Sequence, residues 1–139
     1  MQIKIFVVLT EIEKLNDKAL NYEIDNTKTA KDILEIVNEK NKLLENLEFQ
    51  KRELIRLFKG LTETKNQKGY WLNEKGFIET DKVETWNIYV DKALTEKLEY
   101  ETVLNQKTEI AFQYLLFQIK QITQQKTLAY AIDNEIFFL

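Results

Sequence analysis

Leu128-Ala-Tyr-Ala-Ile-Asp-Asn-Glu-Ile-Phe-Phe-Leu139 is the stretch on which the fold turns. Leu128 to Ile132 reads as a strand. Asp133-Asn134 reads as a tight type I′ turn, because both residue types tolerate positive φ. Glu135 to Leu139 then reads as the returning arm. A hairpin of such apolar residues needs a sheet to join and a core to cover.

Working outward, the rest of the sheet comes from two places. Ile3-Lys-Ile-Phe-Val-Val-Leu9 is short and rich in β-branched residues, so it reads as a first strand. Leu61–Leu72 and Gly76–Val90 flank the polar turn Asn73-Glu74-Lys75 and read as a β-hairpin. Alternation in its second arm puts Trp86, Ile88 and Val90 on one face, and Val83, Thr85, Asn87 and Tyr89 on the other.

The helices lie between. Thr29 with Asp32 three residues on marks a capped start, and Ile33, Ile36, Val37, Leu44 and Leu47 follow at helical spacing. This predicts a helix over 30–47, with a further helical piece over 51–58 ended by Gly60. Leu104, Ala111, Leu115, Ile119 and Ile122 predict a second helix, secure over 108–124 and with a start as early as Thr95. Residues 12–25 stay open between a hairpin arm over 18–24 and a loop.

The order is strand, helix, hairpin, helix, strand, plus one extra strand. That is an α+β fold on the ferredoxin-like βαββαβ plan. Its antiparallel sheet carries two main helices on one face and an extra C-terminal edge strand. The 139 residues hold no linker, repeat or low-complexity segment, so 1–139 reads as one domain.

Gly60-Leu61-Thr62, Gly69-Tyr70-Trp71 and the strand running from Gln125 to Ile132 resemble the pattern of a family of short uncharacterised bacterial proteins with a ferredoxin-like core. The resemblance covers about residues 54–133. It implies the fold and carries no activity with it.

Composition excludes several chemistries. There is no His, Cys, Ser or Pro, and only three glycines. Ser-His-Asp triads, thiol nucleophiles, histidine bases and nearly all zinc sites are removed. No glycine-rich phosphate loop can be written. No cofactor is expected. With 44% hydrophobic residues the chain is globular, and no apolar run approaches the about 20 residues of a membrane span. The start shows no signal-peptide pattern, and the expected compartment is the cytoplasm.

Candidate functional residues follow from the sheet. If Ile3, Ile5, Val7 and Leu9 face the helices, then Phe6 and Val8 face away, with Val83, Tyr89 and Phe137 beside them. An apolar patch on a face that is normally polar marks an interface. The expected partner is protein, another chain or a second copy in a homodimer. The alternative is that residues 10–26 or the terminal arm fold over the patch.

Lys51, Arg52, Arg56 and Lys59 form a candidate nucleic-acid stripe on one helix. Glu48 and Glu53 dilute it, and the net charge of −3 argues against a polyanionic partner. Ile5-Phe6-Val7 and Lys75-Gly76-Phe77 echo the aromatic strands of RNA-recognition motifs. Glu79, Asp81 and Glu84, near Lys82 and Tyr70, are the one carboxylate group that a hydrolytic or metal-dependent enzyme would use. The reading favoured by the sequence is a non-enzymatic protein-binding module, an inhibitor or accessory protein of a phage or mobile element.

Overall fold

The computed structural model describes residues 1–139. Strand β1 (Gln2–Val8) leads into helix α1 (Thr10–Ile24) and then helix α2 (Ala30–Phe58). Strands β2 (Thr62–Leu72) and β3 (Ile78–Tyr89) form the long hairpin. After one 3₁₀ turn, β4 (Thr95–Lys97) and β5 (Thr102–Leu104) make a small hairpin. Helix α3 (Gln106–Ile122) and the hairpin β6 (Ala129–Ile132) and β7 (Glu135–Phe138) complete the chain.

The main sheet has five strands in the order β2-β3-β1-β6-β7, and every pair is antiparallel. The chain is thus an α+β protein. Ile3, Ile5 and Val7 are fully buried on one face of β1, and Trp86 and Ile88 join them from β3. Leu54 and Phe58 of α2 and Phe112, Leu116 and Ile119 of α3 close the core over that face. Phe112 sits edge-on to both Phe58 and Tyr130, with ring centroids 5.6 and 5.7 Å apart. Edge-to-face pairs of this kind add to the burial term.

Local chemistry explains most boundaries. Thr29 and Asp32 form the full capping box at the start of α2, each side chain bonding the other's backbone N–H. Asn105 caps α3 by accepting from the backbone N–H of Thr108. In the β2–β3 turn, Asn73 Oδ1 accepts from the N–H groups of Lys75 and Phe77, and Gly76 takes φ 81°. The β6–β7 turn falls at Asp133-Asn134 as expected, but Asp133 alone takes positive φ, 53°, so it is not the type I′ turn the pair predicts.

Four expectations need correction. Residues 10–24 are a helix, neither a loop nor a hairpin arm. The hairpin arm over 18–24 rests on the alternation of Leu20, Tyr22 and Ile24, but Leu20 and Ile24 lie exposed on the helix surface and report no buried face. Glu11 and Glu13 in the first turn favour that helix through its dipole. The two helical pieces of 30–58 are one continuous helix, and the left-handed cap residue is Lys59, φ 72°, with Gly60 following it. The β4–β5 hairpin occupies residues expected to be an early start of the second helix.

Candidate interaction surface

The register sorts the sheet into two faces. Opposite residues share a face, so Gln2 pairs with Tyr89, Lys4 with Asn87, Phe6 with Thr85 and Val8 with Val83 on the side away from the core. Lys4 also faces Ala131, which pairs with Ile136, while Ala129 pairs with Phe138. Phe6, Val8 and Val83 are half-buried there, and Tyr89 is 73% exposed. Four of the five expected interface residues therefore share the open face.

Phe137 does not. Tyr130 faces the helices, only 8% exposed, and Phe137 is its direct partner across β6–β7. Their rings stack at 5.4 Å. The two-residue turn fixes this parity, so Phe137 is a packing residue on the core side. The apolar side chains that β7 shows to the open face are Ile136, 58% exposed, and Phe138, 71% exposed. Sequence reasoning missed both, although alternation from a buried Tyr130 would have found them. Helix α1 packs along α2, with Ile12 in the main core, so it does not cover this face.

The basic stripe is not free. Lys51 Nζ lies 2.7 Å from Glu63 and 3.1 Å from Glu48, and 5.1 Å from the Trp86 ring centroid. Burial works to lower the Lys51 pKa, but the contacts with Glu63 and Glu48 outweigh it and hold the ammonium above the ordinary lysine range. Lys51 in turn is the main cause that holds Glu63 below the ordinary glutamate range. Arg56 is paired with Glu53. Only Arg52 and Lys59 of the four lack an ion pair, and Lys59 is the helix cap. A continuous polyanion track is not built here.

The carboxylates near the hairpin have structural partners. Glu79 accepts from Asn73 at 2.9 Å, Asp81 from the Thr10 hydroxyl at 2.7 Å, and Glu84 from the Trp86 indole at 3.2 Å. They do not converge on one point. Lys82 reaches Glu13 at 3.3 Å, and Tyr70 is largely exposed.

The chain is an α+β protein with one sheet face covered by helices and the other open. No family model matches the chain, and no curated protein matches it. Among solved structures it is similar to a phage SAM lyase in complex with S-methyl-5′-thioadenosine. The identity is 17% and the TM-score 0.47, over 99% of this chain and 87% of that one. That neighbour is an enzyme, and the expectation of a non-enzymatic protein is withdrawn. The missing His, Cys and Ser exclude particular mechanisms, not catalysis as such. No helix is long and apolar enough to cross a membrane.

Proposed function

We propose that this chain works by protein association through the open face of its sheet, with a second copy as the simplest occupant. The observation that carries this reading is the joint exposure of Tyr89, Ile136 and Phe138 on the face that also shows Phe6, Val8 and Val83. Water-facing antiparallel sheets normally alternate to polar residues there. Here the β1–β6–β7 corner is aromatic and aliphatic, and such patches mark interfaces. The core is read as ferredoxin-like. The order β2-β3-β1-β6 supports this, with both neighbours of β1 antiparallel to it.

Light scattering tests the proposal on the wild type and on Phe6→Glu combined with Tyr89→Glu. The wild type is expected at twice the chain mass of 16.6 kDa, and the double variant as a folded monomer. A wild type that stays monomeric at every concentration, or a double variant that stays dimeric, refutes self-association through this face.

A further inference from the structure

The terminal hairpin also offers a second surface, on its edge and on the core side of the sheet. β7 is an edge strand. Leu128 and Leu139 exchange both backbone bonds, at 3.1 and 2.9 Å. Bonded and non-bonded pairs alternate along an antiparallel ladder. Tyr130/Phe137 and Ile132/Glu135 are therefore bonded pairs, and Ala129/Phe138 and Ala131/Ile136 are not. The N–H and C=O groups of Ile136 and Phe138 consequently point away from β6, along an edge that no strand of this chain covers. The strand carries no Pro, no Lys and no bulge, and its protection is limited to its four-residue length and Glu135.

On the core side, β7 borders a groove of about 1100 Å³ between α3, the β4–β5 hairpin and β6. Its apolar lining includes Val103, Ile110, Ile132 and Phe137. Five carboxylate residues line it, Glu96, Glu101, Glu109, Asp133 and Glu135, and no Lys or Arg does. Glu109 accepts from Gln113, and Asp133 from the Gln2 N–H, whereas Glu96, Glu101 and Glu135 make no ion pair. Lys92 and Lys97 lie in the adjoining hollow beyond Met1 and Thr102.

We infer that the β7 edge and this groove together receive an extended segment of a partner protein in which basic and apolar residues alternate. The segment adds as a sixth strand, bonded to the free groups of Ile136 and Phe138. Strand addition of this kind draws affinity from the main chain and specificity from alternate side chains. One set of side chains, Lys or Arg, points toward the carboxylates of the groove. The other set lies beside Ile136 and Phe138 on the open face. Charge selects this occupant over a second copy, because pairing two β7 edges brings two identical sets of carboxylates to one seam. The surface adjoins the dimer face proposed above and shares Ile136 and Phe138 with it, while the edge bonds and the acidic groove are its own.

The test uses the full chain and a fluorescein-labelled, end-blocked octapeptide of alternating Lys and Val, followed by anisotropy. Two control peptides carry Glu in place of Lys, or N-methylated amides that remove the edge bonds. Two protein variants are used. Glu101→Lys with Glu135→Lys reverses the groove charge. Ile136→Pro removes a free N–H while leaving the ladder to β6 intact, a position where proline is tolerated. The Lys-Val peptide is expected to bind the wild type and to weaken about tenfold or more on charge reversal. Binding is expected to disappear with Ile136→Pro and with the N-methylated peptide. Circular dichroism checks that each variant is folded, and the N-methylated peptide decides the edge question if Ile136→Pro unfolds. Equal binding of the N-methylated peptide removes the edge from the proposal, and equal binding of the Glu-Val peptide removes the charge. Absence of saturable binding by about 1 mM peptide overturns it altogether. So does a wild-type dimer that Ile136→Pro converts to monomer while Phe6→Glu with Tyr89→Glu leaves it intact, since a second copy then holds the edge.

Discussion

Replacing Lys51 by Met isolates the charge that ties α2 to β2. The methionine keeps an unbranched apolar stem over Trp86 and removes only the ammonium. Lys51 is 11% exposed in its side chain and Glu63 is 31% exposed, so the pair lies between surface and interior. The buried Oε2 of Glu63 has that ammonium as its partner and no hydrogen bond besides. Exposed pairs contribute about 0–1 kcal/mol, and breaking a fully buried pair costs about 3–5 kcal/mol. An intermediate loss of about 2 kcal/mol at pH 7 is expected. With a urea slope of about 2 kcal/mol/M, the unfolding midpoint falls by about 1 M.

The pH dependence gives a second check. Glu63 is held below its unfolded pKa, so its contribution is complete above that unfolded value and is lost as pH falls through the folded one. Lys51 is held above its unfolded pKa, so its contribution is complete below that value and is lost as pH rises through the folded one. The wild-type advantage over Lys51→Met is therefore a plateau across neutral pH that collapses at both ends. Urea titrations of both proteins at pH 7 and at about pH 2 measure it. A difference below about 0.5 kcal/mol at pH 7 refutes the role of the pair. A difference that persists unchanged at low pH shows that packing over Trp86, and not charge, is what the lysine supplies.

Three further substitutions at two positions probe the frame. Leu54→Ala opens a cavity beneath a fully buried position of α2 and is expected to cost about 3 kcal/mol by denaturant unfolding. Gly76→Ala meets no atom within 4 Å, so its cost is backbone strain at φ 81°, about 1 kcal/mol. Thermal melts should place Gly76→Asn between the two, since asparagine tolerates that region better than alanine.

The sheet was legible wherever one face of a strand is buried. Ile3, Ile5 and Val7 alternate with Lys4, Phe6 and Val8 because the core accepts only one set. The β6–β7 turn was legible from Asp133 and Asn134 alone. Helix α1 was not, because it fully buries only Ile12, while Leu15, Ala19 and Tyr22 are half-buried and Leu20 and Ile24 face water. A helix held by little burial leaves little periodicity to read. The site was half legible for a related reason. Tyr89, Phe6, Val8 and Val83 follow from strand alternation, but Phe137 depended on which side of β6 faces the core. Tyr130 settles that through its contacts with Phe112 and Gln113, which are long-range and absent from any local pattern. The neutralised basic stripe has the same origin, since Glu63 reaches Lys51 from another element.

Helix α2 has 29 residues, a length of about 43 Å at 1.5 Å per residue. The seven residues of β1 span only about 24 Å at 3.4 Å each. Leu47, Gln50, Leu54 and Phe58 are buried in its C-terminal half, whereas Ile36 is the one buried residue before Leu47. The overhanging half has α1 as its main companion. Opening energies along a protein follow local burial. Amide exchange in α2 should therefore divide near Leu47. Protons after it report unfolding of the whole molecule, and protons before it leave through a separate, cheaper opening of the α1–α2 arm. One continuous helix then belongs to two cooperative units, and its capping box at Thr29 governs only the weaker of them.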